Sequence, residues 1–310
     1  MLRNVVIEKQ GHLFVKNDQL MIRQNGSEVR VGSFEDIGWI LLEHPQLTMT
    51  QAVMARAASK NTVVIFCGDQ YFPISIATPT EGNYLQGERL RWQLESSIPR
   101  KKSLWKQLVQ LKIENQARLL DLIGSDSESV MYLKTKVRSG DPDNVEAQAA
   151  RRYWTLLFGF QFKRDRIGMV PNPWLNYGYA ILRSCVVRML TASGLHPGHG
   201  VHHANKYNSF ALADDVMEPL RPWVDRIAWS LFHEQSFRST EMNTYLKKEL
   251  LEVLQHDVQQ GTYIRPMAQA VQQLAYEIAM YLGNKIDKIS PLKIISLETE
   301  RETWDVHEME

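Results

Sequence analysis

The feature that most constrains this chain is a change of pattern at PTEGN, residues 79–83. Before it, short apolar runs are separated by turn signals. After it, apolar residues recur at helical spacing over long stretches. Strands repeat every two residues and helices every 3.6, so the two parts must be built from different elements. We predict an α+β fold with a β-rich domain at 1–80, a linker at 81–83, a larger all-α domain at 84–290 and an acidic, mobile tail at 291–310.

The first part contains short runs of strand composition, namely VVIE, HLFVKN, QLMIRQ, EVRVG, WILLEH and TVVIFC. The QNGS sequence at 24–27 is typical of a hairpin turn. Thr50 is a candidate cap for one short helix, TQAVMARAASK. In the second part, helical periodicity covers residues 84–97, 100–123, 143–158, 174–192, 211–235, 241–258 and 262–283.

Cysteine usage and hydropathy restrict the class of protein. Cys67 and Cys185 both lie in apolar runs, so we expect reduced core residues and no disulfide framework. The N-terminal MLRNVVIEKQGH lacks the apolar run of a signal peptide. No stretch approaches about 18 consecutive apolar residues, the length that a membrane span requires. We therefore expect a cytoplasmic protein with no membrane partner.

The net charge of +1 conceals an uneven distribution. Between residues 84 and 118 there are eight basic residues against three acidic ones, whereas residues 298–310 contain six acids and one arginine. A basic surface is the electrostatic footprint of a protein that binds a polyanion. The alternative is a solvated helix face, and charge alone leaves both open.

The segment GVHHANKYNSFALADDVMEPLRP, residues 200–222, places two histidines, two aspartates and a glutamate within seventeen positions. On a helix, the spacing from Asp214 or Asp215 to Glu218 puts a carboxylate pair on one face. Asn208 or Ser209 could cap the start of that helix. A histidine and carboxylates that converge can hold a hard divalent cation such as Mg²⁺ or Mn²⁺.

Such a site needs a further carboxylate, and Glu146 in DPDNVEAQAARRYW is the best candidate. It follows a helix start marked by Asp141, Asp143 and Asn144. Alanines around it leave room for another helix or for a substrate backbone.

Other interpretations of these residues remain open. The carboxylates are compatible with an ordinary solvated face, on which Glu218 and Arg221 form a surface ion pair. A glutamate in the first turn of a helix is also favourable to the helix dipole without any catalytic role. A zinc site built from His196, His199, His202 and His203 is conceivable but lacks thiolates.

Three ordered motifs bear a resemblance to a known family: VEAQAARRYW at 145–154, LNYGYAIL at 175–182 and GVHHANKYNSFALADDVMEPLRPWVD at 200–225. Together they resemble the CRISPR-associated protein one family, the metal-dependent integrases of spacer acquisition. The HHANKYNSFALADD wording is most similar to the type II branch. The resemblance implies a small N-terminal β domain and a larger helical catalytic domain.

The resemblance also implies site residues. The catalytic and metal-binding set falls on Glu146, His203 and Glu218, with Mg²⁺ or Mn²⁺ as the cofactor. Asp215 is retained as an additional or water-mediated ligand. His203 is preferred to His202 because Glu218 lies fifteen positions after it.

Candidate DNA-binding residues fall into two groups. Arg151, Arg152, Lys206 and Asn208, with Tyr207 beside them, are candidates for phosphate contacts. Trp174 and Tyr177, with Tyr179, are candidates for stacking on unpaired bases, and helix packing is the alternative.

The implied activity is insertion of prespacer DNA into the repeat array by attack of a 3′-hydroxyl on a phosphodiester. The implied partners are double-stranded DNA, a second copy of the chain, the ferredoxin-like CRISPR-associated protein two in a hetero-hexamer, and a type II effector nuclease. Two other functions stay open. One is a metal-dependent endonuclease without integration activity, and the other is a DNA-binding assembly scaffold.

Overall fold

The computed structural model describes residues 3–68, 73–77, 79, 82–165, 167–203, 205–234 and 242–295. The chain divides into two compact units. The first comprises residues 1–87 and 191–194, and the second comprises residues 88–190 and 195–310. A sheet-rich N-terminal part and a mainly helical C-terminal part confirm the predicted α+β class.

The first unit contains the strands and the helix whose bounds are β1 (Arg3–Ile7), β2 (His12–Lys16), β3 (Gln19–Gln24), β4 (Ser27–Ser33), β5 (Ile37–Leu42), β6 (Thr48–Met49), α1 (Gln51–Ser59), β7 (Val63–Cys67) and β8 (Pro73–Ala77). They form two sheets, with strand orders β1-β5-β7-β8 and β4-β3-β2-β6. Strand β5 is buried along its whole length and pairs in parallel with β1 and β7. This explains its uninterrupted apolar sequence, because a central parallel strand is covered on both faces.

The predicted hairpin turn is confirmed between β3 and β4. Asn25 and Gly26 both have positive φ, at 50° and 80°, and the two strands pair in antiparallel fashion. Positive φ at both central positions is what an Asn-Gly turn supplies. Leu13, Leu20 and Val53 belong to the apolar core of this unit.

From residue 86 onward the elements are α2 (Gln86–Glu95), α3 (Ile98–Leu122), α4 (Glu128–Lys134), α5 (Val145–Phe158), α6 (Asn172–Ala192), α7 (Ala211–Met217), α8 (Arg221–His233), α9 (Thr244–Leu251), β9 (Asp257–Gln260), β10 (Tyr263–Pro266), α10 (Met267–Leu282) and β11 (Leu292–Lys293). Short 3₁₀ turns cover Glu218–Leu220 and Glu252–Leu254. Helix α3 is 25 residues long and packs against α4, α5, α8 and α10. It is the central element of the second unit.

The description of this part as all-α is wrong in one place. Strands β10, β9 and β11 form a small antiparallel sheet. Gly261, at φ +61°, makes the turn between β9 and β10. These strands replace the end of the helix predicted at 241–258 and the start of the one predicted at 262–283. The predicted tail at 291–310 also begins too early, because it includes β11. Its acidic residues from 298 onward lie outside the described residues.

The predicted helix at 211–235 is interrupted. Helix α7 ends at Met217 and α8 begins at Arg221, with the 3₁₀ turn between them. Pro219 and Pro222 lack the N–H that a continuous helix requires, which accounts for the break. Glu218 keeps helical backbone angles, φ −52° and ψ −48°, and lies at the start of the 3₁₀ turn.

Both cysteines are free thiols. Cys185 is buried, and burial raises the pKa of its thiol to about 12. Within the described ranges, no helix combines the length and the apolar character needed to cross a membrane.

Candidate active site

Two carboxylates from different elements converge on one ammonium group. Lys112 Nζ, from α3, lies 2.5 Å from Oε1 of Glu146 on α5 and 2.6 Å from Oε2 of Glu218 at the 3₁₀ turn. The three side chains are only 10%, 21% and 7% exposed, respectively. Glu146 and Glu218, which are 72 positions apart in the sequence, are therefore brought to a single point.

The start of α5 fixes the backbone of Glu146. The carboxylate of Asp141 accepts hydrogen bonds from the backbone N–H of Val145 and of Glu146. Asn144 has φ 50°, and its side chain accepts from the N–H of Ala147. These caps satisfy N–H groups that the first turn of a helix leaves unpaired. The predicted helix start is confirmed, and it anchors one of the two carboxylates.

Glu218 is held from its other side by Arg221, whose Nη2 lies 2.9 Å from Oε1. Burial opposes ionisation of Glu218, but Arg221 and Lys112 outweigh it and hold its pKa well below the usual range. The interpretation of Glu218 as part of a solvated face is therefore wrong. The predicted ion pair with Arg221 exists, and it is buried.

Glu146 and Glu218, called the carboxylate pair from here on, suit a hard divalent cation. Oε2 of Glu218 is buried, and no donor in the described part of the chain makes a well-directed hydrogen bond to it. The Lys112 ammonium lies 2.6 Å from this oxygen and supplies the positive charge at the position where a metal ion would bind. Carboxylate oxygens are the ligands that Mg²⁺ and Mn²⁺ prefer. The chemistry of these donors therefore matches the predicted cofactor.

Asp215 has a different role from the one expected of it. This fully buried carboxylate accepts hydrogen bonds from the backbone N–H of Val201, His202 and His203. Its Oδ1 also lies 2.5 Å from Nδ1 of His203. Both oxygens are engaged by the protein, so Asp215 fixes the loop at 201–203, named here the histidine loop, and has no free oxygen for an additional ligand bond.

The two adjacent histidines have different surroundings. The ring of His202 stacks on Trp105 at 4.1 Å between ring centroids, while His203 meets the same indole edge-on at 5.6 Å. The hydrogen bond with Asp215 raises the pKa of His203, against the effect of burial, whereas burial lowers the pKa of His202. No residue that the structure describes hydrogen-bonds to Nε2 of His203. Because Nδ1 is engaged by Asp215, Nε2 is the candidate donor of His203 to a cation.

The structure brings two of the three predicted metal ligands together, Glu146 and Glu218. Among the described residues, no group of three or more His, Cys, Asp or Glu side chains has metal-binding geometry. His203 therefore stands outside the pair, although the charges of Glu218 and Glu146 contribute to raising its pKa. The alternative zinc site of four histidines is likewise not assembled.

The predicted DNA-binding residues divide by exposure. Arg151, Arg152 and Lys206 are exposed, as phosphate contacts require. Asn208 is half-buried, and its amide donates to Asp214 at 2.8 Å.

The stacking prediction for two aromatic residues is wrong. Trp174 and Tyr177 have no exposed surface and pack inside the helical unit, so neither can meet a base. Tyr179 is buried as well.

A pocket of about 190 Å³ adjoins the carboxylate pair. Its lining consists of Lys112, Gln116, Ala150, Trp154, Arg164, Tyr179, Glu218, Arg221 and Asp225. The guanidinium of Arg221 lies 4.4 Å from the ring centroid of Tyr179, whose hydroxyl donates to buried Asp225. Tyr153 donates to the same carboxylate at 2.7 Å. A continuous chain of contacts thus runs from Asp225 to Glu218.

Asp225 makes the stability of this region depend on pH. Burial raises its pKa to about 6, although Tyr179 and Tyr153 oppose that effect. Because the folded protein holds this proton more tightly than the unfolded chain, the contribution is full below about pH 4 and is lost as the pH rises through about 6. We expect the free energy of unfolding of the wild type, measured relative to that of Asp225→Asn, to fall by about 2–3 kcal/mol between pH 4 and 7. Urea unfolding of both proteins across this range measures it, and a flat difference would contradict the assignment.

Several of the basic residues between 84 and 118 are engaged within the protein. Arg100 donates to the carbonyl oxygens of Tyr281 and Ile286. Arg118 pairs with Glu114, and Lys112 is buried in the site. Arg91 and Lys102 are exposed. Much of this charge therefore serves internal contacts.

Solved structures of similar fold show which structural class the chain belongs to. A casposase bound to integration product has a TM-score of 0.76 at 19% identity, and the likeness covers 99% of this chain and 100% of that chain. A CAS1 protein from Thermotoga maritima has a TM-score of 0.78 at 16% identity, covering 91% and 98%. The fold is thus that of the CAS1-like proteins, with a sheet-rich unit and a helical unit that here carries the paired carboxylates.

The family follows from the sequence comparisons. The model for CRISPR associated protein Cas1 matches residues 5–260. A CRISPR-associated endonuclease Cas1 from Neisseria meningitidis serogroup C (strain 8013) is 37% identical over 258 residues, which is 83% of this chain and 84% of the relative. The chain belongs to the Cas1 family, as the three motifs predicted. The match to the Neisseria relative is consistent with the type II branch.

Proposed function

We propose that this chain is a DNA strand transferase that requires Mg²⁺ or Mn²⁺ and inserts prespacer DNA into a CRISPR repeat array. The observation that carries the proposal is the convergence of two carboxylates, half-buried Glu146 and buried Glu218, on one cationic atom. Membership of the Cas1 family and the shared fold with a casposase bound to integration product support the substrate class.

In this proposal, Glu146 and Glu218 hold the cation, with His203 as the third ligand. When bound, the ion supplies Lewis-acid stabilisation of the charge that develops on the scissile phosphate. Arg221 keeps Glu218 ionised and in place. Asp215 orients the ring of His203 and holds the loop that carries it.

The proposed reaction balances without an external reagent. The 3′-hydroxyl oxygen of the prespacer forms a new bond to phosphorus, and the bond to the 3′-oxygen of the repeat strand breaks. The attacking hydroxyl loses a proton and the departing oxygen gains one. No covalent intermediate with the protein is needed.

Exposed cationic side chains support contact with duplex DNA. Arg151 and Arg152 lie on α5, the helix that carries Glu146, and Lys206 follows His203 by three positions. Such residues contact phosphates and set the position of the duplex without reading its sequence.

We further propose that the working assembly is a homodimer that joins the ferredoxin-like Cas2 protein in a hetero-hexamer and serves a type II effector nuclease. One observation supports the Cas2 partnership. The solved Cas6-RT-Cas1–Cas2 complex contains a chain of similar fold, with a TM-score of 0.73 at 18% identity over 95% of this chain and 36% of that chain. Sedimentation of the chain mixed with its Cas2 partner tests this proposal directly.

The test of the activity uses a fluorescent branched DNA that mimics a half-inserted prespacer, incubated with Mn²⁺ or Mg²⁺. We expect the wild type to rejoin the target strand. Glu146→Gln should lower that rate at least about 100-fold, because the amide keeps the shape of the side chain but removes the charge that attracts a cation. Glu114→Gln is the matched control, since Glu114 is buried on α3 but pairs with Lys134 and Arg118 outside the site.

The alternatives give different products. An endonuclease without integration activity would produce cleaved strands and no joined ones. A scaffold would bind the branched DNA and leave it unchanged. If Glu146→Gln and Glu114→Gln had equal rates, the proposed site would be wrong.

A further inference from the structure

The loop at 159–170, which joins α5 to α6, presents three large apolar side chains to solvent. Phe160 is 95% exposed, Ile167 is 93% exposed and Met169 is 82% exposed. A single exposed apolar residue is ordinary, but three in one short loop expose a large apolar area, and covering such an area with a partner lowers the free energy. The loop is therefore a candidate binding surface.

The base of this loop is braced against the start of α6. The guanidinium of Arg164 donates to the side-chain oxygens of Asn172, at 2.9 Å, and Asn176, at 2.6 Å. Asn172 also accepts from the backbone N–H of Asp165 and donates to the carbonyl of Lys163. These bonds hold the base of the loop while its apolar tips remain outside.

An aromatic cluster holds the other end of the loop. The ring of Phe162 lies 5.5 Å from that of Trp154 and 4.8 Å from that of Phe158, both on α5. Phe158 in turn meets Phe232 edge-on at 5.6 Å. Phe160 is thus presented from a packed neighbour at 162 and not from a loose segment.

The position and charge of the loop indicate the kind of occupant. Arg164 and Trp154 line the same pocket as Lys112 and Glu218, so the loop begins at the edge of the carboxylate site. Lys163 is exposed, and Arg151 is exposed one helical turn before Trp154. Apolar tips flanked by cations suit a polyanion whose interior is apolar, which is the description of a DNA duplex.

We propose that this loop is a DNA wedge. Phe160 and Ile167 insert against a base step beside the reacting phosphate, while Lys163 and Arg151 contact the flanking backbone. The insertion unstacks that step and kinks the duplex towards the carboxylate pair. This inference rests on the proposed function, because it assumes that DNA is the substrate at this site.

The experiment places 2-aminopurine, whose fluorescence rises on unstacking, at successive base pairs around the junction of the branched DNA. We expect the wild type to raise the signal at one step. The double variant Phe160→Ser and Ile167→Ser should abolish that rise and lower strand joining about tenfold, because it removes the apolar side chains that stack against the opened step. Ile74→Ser is the control, since Ile74 is 73% exposed in the first unit.

Rescue separates a wedge from a merely structural loop. A substrate with two unpaired bases at the reporting step is already unstacked, so the double variant should join it at nearly the wild-type rate. If the variant remained equally slow on that substrate, or if it joined paired DNA as well as the wild type, the wedge would be wrong.

A loss of dimer in sedimentation, with the fluorescence rise intact, would also overturn the wedge and assign the loop to a protein interface. Failure of the proposed function is distinct from all these outcomes. In that case the wild type itself joins neither substrate.

Discussion

Replacement of Lys112 by methionine is expected to lower the free energy of unfolding by about 3–5 kcal/mol, the usual cost of removing one partner from a buried ion pair. Methionine keeps most of the length of the side chain but none of its charge. Glu146 and Glu218, which lie 2.5 and 2.6 Å from the ammonium, would then face each other without a cation. Urea unfolding at pH 7 measures the loss.

Lys60→Met is the matched control for this substitution. Lys60 makes an ion pair of similar length with Glu35, at 2.8 Å, but Glu35 is 68% exposed. Water screens that pair, so its removal should change the free energy of unfolding far less. If the two variants were equally stable, the carboxylates at the site would not depend on a cation.

The same variant tests the metal site without any measurement of activity. A divalent ion that binds the folded protein at Glu146 and Glu218 stabilises it by mass action. We expect Mn²⁺ to raise the stability of Lys112→Met more than that of the wild type, because the ion need not displace an ammonium. Equal effects of Mn²⁺ on both proteins would contradict the assignment of these two carboxylates as ligands.

Local sequence signals predicted the local structure well. The Asn-Gly pair at 25–26 forms the predicted hairpin, and the acidic and amide residues before Val145 mark the start of α5. Each of these features is determined by residues within a few positions of one another. A turn or a helix cap can be predicted from the sequence because the residues that form it are close together in the chain.

Local sequence signals do not predict the role of Lys112. Its partners lie 34 and 106 positions further along, and composition alone groups it with the basic residues of 84–118. One sequence signal does indicate burial. Lys112 is flanked by Leu111 and Ile113 and follows Leu108 by four positions, in a helix that buries about half of its residues. A lysine within such a run must be paired or neutral, since an isolated buried charge is very costly.

The two wrongly assigned aromatic residues illustrate the same limit. Trp174 and Tyr177 have the composition of a base-stacking surface, but their exposure depends on what packs against α6. Helical spacing cannot supply that information, and the long-range packing buries both.

The histidine loop adds a case in which regular spacing misled. Spacing predicts that Asp214 or Asp215 shares one face with Glu218, but the carboxylates of Asp215 and Glu218 serve different groups. Asp215 accepts from the loop at 201–203, whereas Glu218 pairs with Lys112 and Arg221. Gly200 makes the contact between Asp215 and the histidine loop possible. A Cβ atom at this position would lie 2.5 Å from the carbonyl oxygen of His203 and 2.9 Å from Oδ2 of Asp215. Only glycine permits so close an approach of the loop to the buried carboxylate.

Asp215→Asn is therefore expected to lower the free energy of unfolding by at least about 3 kcal/mol, since hydrogen bonds to a charged acceptor contribute about 1.5–3 kcal/mol each. The amide keeps one acceptor oxygen, but its NH₂ group would face N–H donors from Val201, His202 or His203. Amide hydrogen exchange at 201–203 should accelerate together with the loss of stability. Asp214→Asn is the control, because Asp214 is only half-buried, accepts one hydrogen bond from Asn208 and makes a long ion pair with Arg183 at 3.9 Å.

The outcome bears on function as well as on stability. If Asp215 were mainly a metal ligand, Asp215→Asn would leave exchange at 201–203 unchanged and weaken only the binding of Mn²⁺. If Asp215 holds the loop, exchange rises in the metal-free protein, and the orientation of His203 is lost with it. The four contacts on this one carboxylate favour the second result, because an acceptor already engaged by the protein has no lone pair directed at an ion.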